Sequence, residues 1–186
     1  MRKIVSTLIA GAFAATSFAA IAVAAENPMV GGAAMYADKN IVENAVNSKD
    51  HTTLVAAVKA AGLVETLQGK GPFTVFAPTN AAFEALPAGT VDNLLKPENK
   101  EMLTKVLTCH VVAADAMSDA IAKMIKDDGG NHAVKTVGGC TLQAKMNGDM
   151  ITLTDETGGV ATVTIADVDQ SNGVIHVIDK VLLPKA

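Results

Sequence analysis

Four histidines, two cysteines and a scatter of aspartates are the side chains in this chain with chemistry to offer. Zinc needs imidazoles or thiolates recurring at short spacing, as in Cys-x-x-Cys. His51, His110, His132 and His176 lie far apart, Cys109 and Cys140 stand alone, and no carboxylate recurs at ligand spacing. Neither a metal nor another cofactor is therefore expected. His110, between Cys109 and Val111, and His176, between Ile175 and Val177, could each meet a ligand or titrate. Successive strand residues face opposite sides, so such neighbours predict buried, hydrogen-bonded imidazoles. His51 is placed at a helix start and His132 in a loop. Thr79 and Asn80 follow Pro78 at the head of a short helix, where capping of backbone N–H groups explains them better than a catalytic pair does. No Gly-x-Ser-x-Gly elbow is present, and Gly69-Lys70-Gly71 precedes a strand instead of following one, which rules out a phosphate cradle. The expectation is a protein that is not an enzyme.

An even pair of cysteines in a small exported domain is read first as a disulfide, with a free thiol pair or a metal site as the alternatives. Export follows from residues 1–25. Arg2 and Lys3 precede an apolar stretch from Ile4 to Val23, and the small run Ala22-Val23-Ala24-Ala25 offers a signal-peptidase site after Ala24 or Ala25. Ser6, Thr7, Gly11, Thr16 and Ser17 dilute the stretch, which argues against a retained transmembrane anchor. The short charged leader points to a bacterial product, secreted or periplasmic once cleaved. The chain is acidic, with a net charge of −4, and its single arginine leaves with the leader. With no lysine block remaining, nucleic acid is excluded as a partner, since it needs a clustered positive field.

Residues 26–37, with Asn27-Pro28 and Gly31-Gly32, read as a flexible lead-in, and the domain spans 38–186. Apolar residues recur at helical spacing from Ile41 to Ala61, and Gly62 is placed to end the second helix. A short helix over 63–67, a strand over 73–77, short helices after Thr79 and Thr90, and a helix from Pro97 to Leu107 that buries Met102, Leu103, Val106 and Leu107 follow. A strand is expected over 108–112 and a helix capped by Ser118. Beyond it, glycine doublets and Asn-Gly pairs punctuate strands near 133–137, 140–146, 150–154, 160–168 and 174–183, because such residues take positive φ cheaply. A helical first half followed by an antiparallel meander makes an α+β domain.

Two long segments carry a resemblance to a known family. Thr74-Val75-Phe76-Ala77-Pro78-Thr79-Asn80-Ala81-Ala82-Phe83 resembles the first conserved box of the fasciclin I domain family. Asn172-Gly173-Val174-Ile175-His176-Val177-Ile178-Asp179, closing in Val181-Leu182-Leu183-Pro184, resembles the second. Leu107-Thr108-Cys109-His110-Val111-Val112 is similar to the central tyrosine-histidine segment, with Cys109 in place of the tyrosine. The resemblance implies a wedge or sandwich of two β-sheets with flanking helices, and adhesion to matrix or to cell-surface proteins or glycans. It gives Thr74, Phe76, Pro78, Thr79, Asn80, Phe83, His110, Asn172, Gly173, His176 and Asp179 mainly structural roles. Because the tyrosine is absent, Cys109 is expected to bridge Cys140, pinning the strand at 108–112 to the one near 140. Ala166-Asp167-Val168 is similar to the place where some members display an acidic-apolar motif to receptors, which makes Asp167 and Val168 the candidate partner contacts. The alternative for Asp167 is a turn-stabilising hydrogen bonder.

With no tryptophan, and only Tyr36, Phe73, Phe76 and Phe83 left beyond the leader, aromatic hot spots are scarce. Weak adhesion through polar loops and hydroxyl-bearing strand faces, strengthened by multivalency, is the expected mode. The rivals are a carrier of a small apolar ligand such as a lipid, held between helices and sheet, and a secreted hydrolase.

Overall fold

The computed structural model describes residues 27–185, and the leader expected at 1–25 lies outside them. A two-stranded ribbon comes first: β1 (Met29–Val30) and β2 (Ala33–Ala34), turned through Gly31 and Gly32. This departs from the lead-in expected over 26–37. Val30 and Met35 are 4% and 2% exposed, and the Gly31 carbonyl accepts a hydrogen bond from the Lys49 N–H at 3.2 Å. Two strands of two residues are too short to show a period, which is why local pattern did not reveal them.

Helix α1 (Ile41–Ala45) begins in a capping box, where Asn40 Oδ1 accepts from the Val42 and Glu43 N–H groups and Glu43 accepts from the Asn40 N–H. A 3-10 turn over Lys49–His51 leads into α2 (Thr52–Ala61), which ends at Gly62 with φ 75°. There the Leu63 N–H folds back onto the Val58 carbonyl, and α3 (Val64–Gln68) follows. Strand β3 (Phe73–Pro78), α4 (Asn80–Glu84), α5 (Thr90–Leu94), a 3-10 turn at Pro97–Asn99 and α6 (Lys100–Thr108) come next. Helix α6 buries Leu103, Val106 and Leu107, but Met102 lies about a quarter turn off that stripe and is 59% exposed, against expectation. Nor is 108–112 a strand throughout. Thr108 ends the helix and Cys109 caps it, leaving only β4 (Val111–Val112) to pair with β3.

Helix α7 (Ser118–Asp127) precedes the meander of β5 (His132–Lys135), β6 (Thr141–Asn147), β7 (Met150–Thr154), β8 (Val160–Gln170) and β9 (Gly173–Ile178), each antiparallel to the next. Strand β9 stops at Ile178 instead of continuing to 183, and Val181–Pro184 runs on without pairing in the sheet. The long-range pairing is the parallel one: β9 lies alongside β3 from Phe73↔Gly173 to Pro78↔Ile178, setting the order β4-β3-β9-β8-β7-β6-β5. Strand β8, 11 residues long, pairs with β7 through its first part and with β9 through the rest. Register shifts between Val163 and Val168 bend it, so the strands form two leaves of a wedge.

Alternation along β3 assigns its residues to two cores. Phe76 joins Ile178, Leu142, Leu153 and Ala161 between the leaves, under Ile121 and Ile125 of α7. Val75 and Ala77 join Ile175 and Val177 on the other face, beneath the helices of the first half.

Candidate functional site

The side chains singled out in the two boxes converge on neighbouring segments and hold them together. Thr74 Oγ1 donates to the Ala114 carbonyl at 2.6 Å and accepts from the Ala116 N–H at 2.9 Å, fixing the segment before α7. His176 meets the same segment, with Nε2 2.8 Å from the Ala116 carbonyl, while its Nδ1 accepts from the Asp167 N–H at 3.2 Å. That pairing assigns the ring proton to Nε2. Phe76 stacks on His176 with ring centroids 5.7 Å apart. Asn172 reaches three backbone groups of α1 and α3: its Oδ1 accepts from the Ile41 N–H, and its Nδ2 donates to the Leu67 carbonyl and to that of the C-cap residue Gly69. Beside it, Gly173 (φ 152°) cannot be replaced without strain, since a Cβ there would lie 1.9 Å from the Phe73 carbonyl oxygen. Asn80 ties α4 to α2, accepting from the Thr53 N–H at 3.0 Å and donating to the Lys49 carbonyl at 2.8 Å. Thr79 caps α4 through the Ala82 N–H at 3.3 Å, Phe83 is buried, and Asp179 accepts from the Thr162 N–H at 2.6 Å. Pro78 closes β3, paired with Ile178.

His110 is 2% exposed; its Nδ1 bonds the Val106 carbonyl at 2.8 Å and its Nε2 accepts from the Leu182 N–H at 2.9 Å. Burial pushes its pKa down to about 4, against partial opposition from the Val106 carbonyl, so the ring is neutral at pH 7. His176 is lowered by burial as well, with the bond to Ala116 opposing. Both imidazoles act as two-ended hydrogen-bonding struts. His132, at the start of β5, pairs with Asp128 at 2.6 Å.

The acidic-apolar pair divides. Val168 is 0% exposed and packs in the core of the helical face, so it offers nothing to a partner, contrary to the expectation for it. Asp167 is exposed, in the left-handed region at φ 56°, and its carboxylate is occupied: Oδ1 accepts from the Ser118 N–H at 2.6 Å and Oδ2 from the Ser118 hydroxyl. Helix α7 is thus capped from a distant strand, with Met117 and not Ser118 at its N-cap. Asp155 escaped the sequence reading although it is 6% exposed. One of its oxygens gathers the Thr157 and Gly159 N–H groups and the other the Leu183 N–H at 2.9 Å, docking the C-terminal segment. The Asp-x-Thr-Gly-Gly run was its visible sign, a turn signal.

Cys109 and Cys140 form a disulfide with Cα atoms 5.4 Å apart. It joins the end of α6 to the residue before β6, a helix end to a strand and not strand to strand. On the chain-entropy account, closing a loop of this length is worth about 3–4 kcal/mol. Gly138 permits the approach, since a Cβ there would come within 2.8 Å of the Cys109 nitrogen.

Among the described residues, the helix side chains buried against the β5–β8 leaf, Ile121 and Ile125 of α7, pack on its inward face. On the outward face, cross-strand pairing sets Lys135 beside Thr141, Gln143 beside Thr154, and Lys145 and Thr162 on either side of Thr152. It is a hydroxyl- and amide-bearing surface with two lysines on an acidic chain, and it also exposes Met150 and Val160, paired with Asn147 and Thr154. Among the described residues no three His, Cys, Asp or Glu side chains come together as metal ligands would, and no helix is long and apolar enough to cross a membrane.

Bent two-leaf sheet, flanking helices and inward-facing box residues together define an α+β wedge in which the polar groups of the boxes are occupied in holding the fold. The same fold is seen in the structure of a domain pair from the insect cell adhesion molecule fasciclin I, with a TM-score of 0.69 and 16% identity over 78% of this chain and 51% of that one. The fasciclin domain profile matches residues 49–184. This chain belongs to the fasciclin domain family. It is similar to Protein sll1483 of Synechocystis sp., 47% identical over 86% of this chain and 81% of that protein. It is also similar to immunogenic protein MPB70 of Mycobacterium bovis, 35% identical over 99% of this chain and 100% of that one.

Proposed function

We propose that this protein is an exported, non-enzymatic adhesion module that docks on a protein or glycan of another surface through the outer face of its β5–β8 leaf. Three things support the reading: membership of the fasciclin family, a leader of secretory type, and box residues whose polar atoms are bonded inward and so are not free for chemistry. The observation that carries it is the open face itself. Thr141, Gln143, Thr154 and Thr162 present short donors and acceptors on the sheet, Lys135 and Lys145 add positive charge, and the carboxylates at the ends of their rows, Glu156 and Asp179, accept from the Thr141 and Thr162 N–H groups. A surface of this kind makes many weak polar contacts, which multivalent display strengthens by the effective concentration it creates.

Beads coated with the mature protein test this against candidate cells and matrix-coated plates. Gln143→Glu/Lys145→Glu, placed at exposed or half-buried strand positions, is expected to leave the circular dichroism spectrum unchanged and to cut bead capture at least tenfold. Capture unaltered by that pair would remove the face from consideration.

A further inference from the structure

The helical side of the β3–β9 leaf is not filled. Enclosed by α1, α2 and α3 and the two strands, with Val30 and Met35 of the ribbon segment closing one end, lies a cavity of about 50 Å³. Val42, Leu54, Val58, Leu67, Val75 and Ile175 are among the apolar side chains of its wall. Four polar side chains interrupt that lining, Lys59 at its exposed edge and three deeper in. His110 has both nitrogens bonded. Ser48 and His51, 2% and 3% exposed, bond each other through Oγ and Nδ1 at 2.8 Å. His51 Nε2 meets no partner at hydrogen-bond geometry, the one such buried side-chain atom among the described residues, and the Ala77 backbone is a polar group nearby that favours the charged ring. Burial holds the ring toward its neutral form. Folded proteins rarely leave a group of this kind unmet, so the cavity and the nitrogen call for one explanation.

Size and polarity narrow the occupant. An apolar cavity of roughly 150 Å³ takes benzene, so one of about a third that volume takes a guest of about two or three heavy atoms, and a lipid chain is too large for it. A buried water normally makes about three hydrogen bonds, and this lining offers few free polar atoms. A short alcohol fits better. Its hydroxyl both donates and accepts, so it satisfies Nε2 in either tautomer, while its alkyl end meets the apolar wall. The exposed Lys59 and half-buried Val55, Leu63 and Val64 mark where α2 and α3 let such a guest enter.

We propose that this cavity is a binding site for a small aliphatic hydroxyl compound, seated with its oxygen on His51 Nε2 and its carbons against Val58, Leu67 and Val75. The site is separate from the outer face of the β5–β8 leaf and does not rest on the adhesion reading.

Ethanol is the probe. Titrated into isotope-labelled full-length mature protein, it is expected to shift the His51 ring nitrogens and the Val58 and Leu67 methyl signals saturably, with a dissociation constant in the millimolar range or weaker, as suits so small a ligand. Ala45→Leu, which grows into the cavity from α1, is expected to weaken binding at least tenfold. Three results would overturn the proposal: linear, non-saturating shifts; a long-lived water on His51 that ethanol does not displace; or saturation by xenon with none by ethanol. The wild-type titration decides the matter alone should Ala45→Leu fail to fold.

Discussion

The two cores that share β3 and β9 are completed to different degrees. Between the leaves, Ala144, Leu153, Ala161 and Ile178 are 0% exposed, and the buried polar groups that border them, His176 and Asp155, have every relevant atom engaged. Beneath the helices there is a cavity, and beside it an imidazole nitrogen without a partner. The difference follows from how each layer is built. Two leaves with alternating side chains interdigitate along their whole length, whereas α1 and α3 have five residues each and present little more than one turn to the sheet.

Truncation in each core measures that contrast most directly. Leu153→Ala, between the leaves, is expected to cost about 3–5 kcal/mol, because the surrounding strands are paired on both sides and cannot close on the void. Leu67→Ala, at the cavity wall on a short helix that can shift inward, is expected to cost about 2–3 kcal/mol. Urea unfolding with unchanged m-values reads both. Equal costs, or a larger one at Leu67, would mean that the two cores are equally tight.

A second contrast is in pH. His110 titrates at about 4 in the folded chain, against about 6.5 when unfolded, so between those values the unfolded state binds the proton and the folded state does not. Its contribution is therefore complete above about pH 6.5 and is lost as pH falls toward 4, by up to about 3 kcal/mol. His51 and His176, both lowered by burial, add in the same direction. His110→Gln is expected to be less stable at pH 7 yet to lose less between pH 7 and pH 5 than the wild type. Parallel losses in the two proteins would show that His110 does not carry the dependence.

Elements with a period or a punctuation mark were legible in the sequence. The repeat from Ile41 to Ala61, the stop at Gly62 and the glycine-delimited strands after 130 each depend on residues close together in the chain. The β1–β2 ribbon was missed because two-residue strands have no period, and the end of α6 because Thr108 and Cys109 continue a helix into a run rich in strand formers. The parallel junction of β3 and β9 lies in no local pattern and was not anticipated, since it joins residues about 100 apart in the chain. Among site residues, the strut His176 could be read from its apolar strand neighbours, whereas His110 is buried in the turn after α6 and not in the strand expected there. The orphan nitrogen of His51 could not be read, since it depends on where Ala77, a distant residue, places its backbone.

The smallest effect is expected at Asp167, where the alternatives from sequence were a partner contact and a turn-stabilising bond. Its carboxylate caps α7 through Ser118, and its backbone sits at φ 56°, so alanine loses the cap and meets the left-handed penalty together, for about 2 kcal/mol. Asp167→Gly loses only the cap, about 1 kcal/mol, because glycine takes that φ freely. Asp167→Asn keeps an accepting oxygen and tolerates the backbone, and is expected to cost less than the glycine variant. Urea unfolding that gives the order alanine, glycine, asparagine from most to least destabilised identifies a structural residue, and bead capture by the asparagine variant then matches the wild type. If Asp167→Asn instead folds as the wild type does but captures nothing, the β8 bulge contacts the partner, and the division between inward-bonded box residues and an outward-facing threonine surface no longer holds.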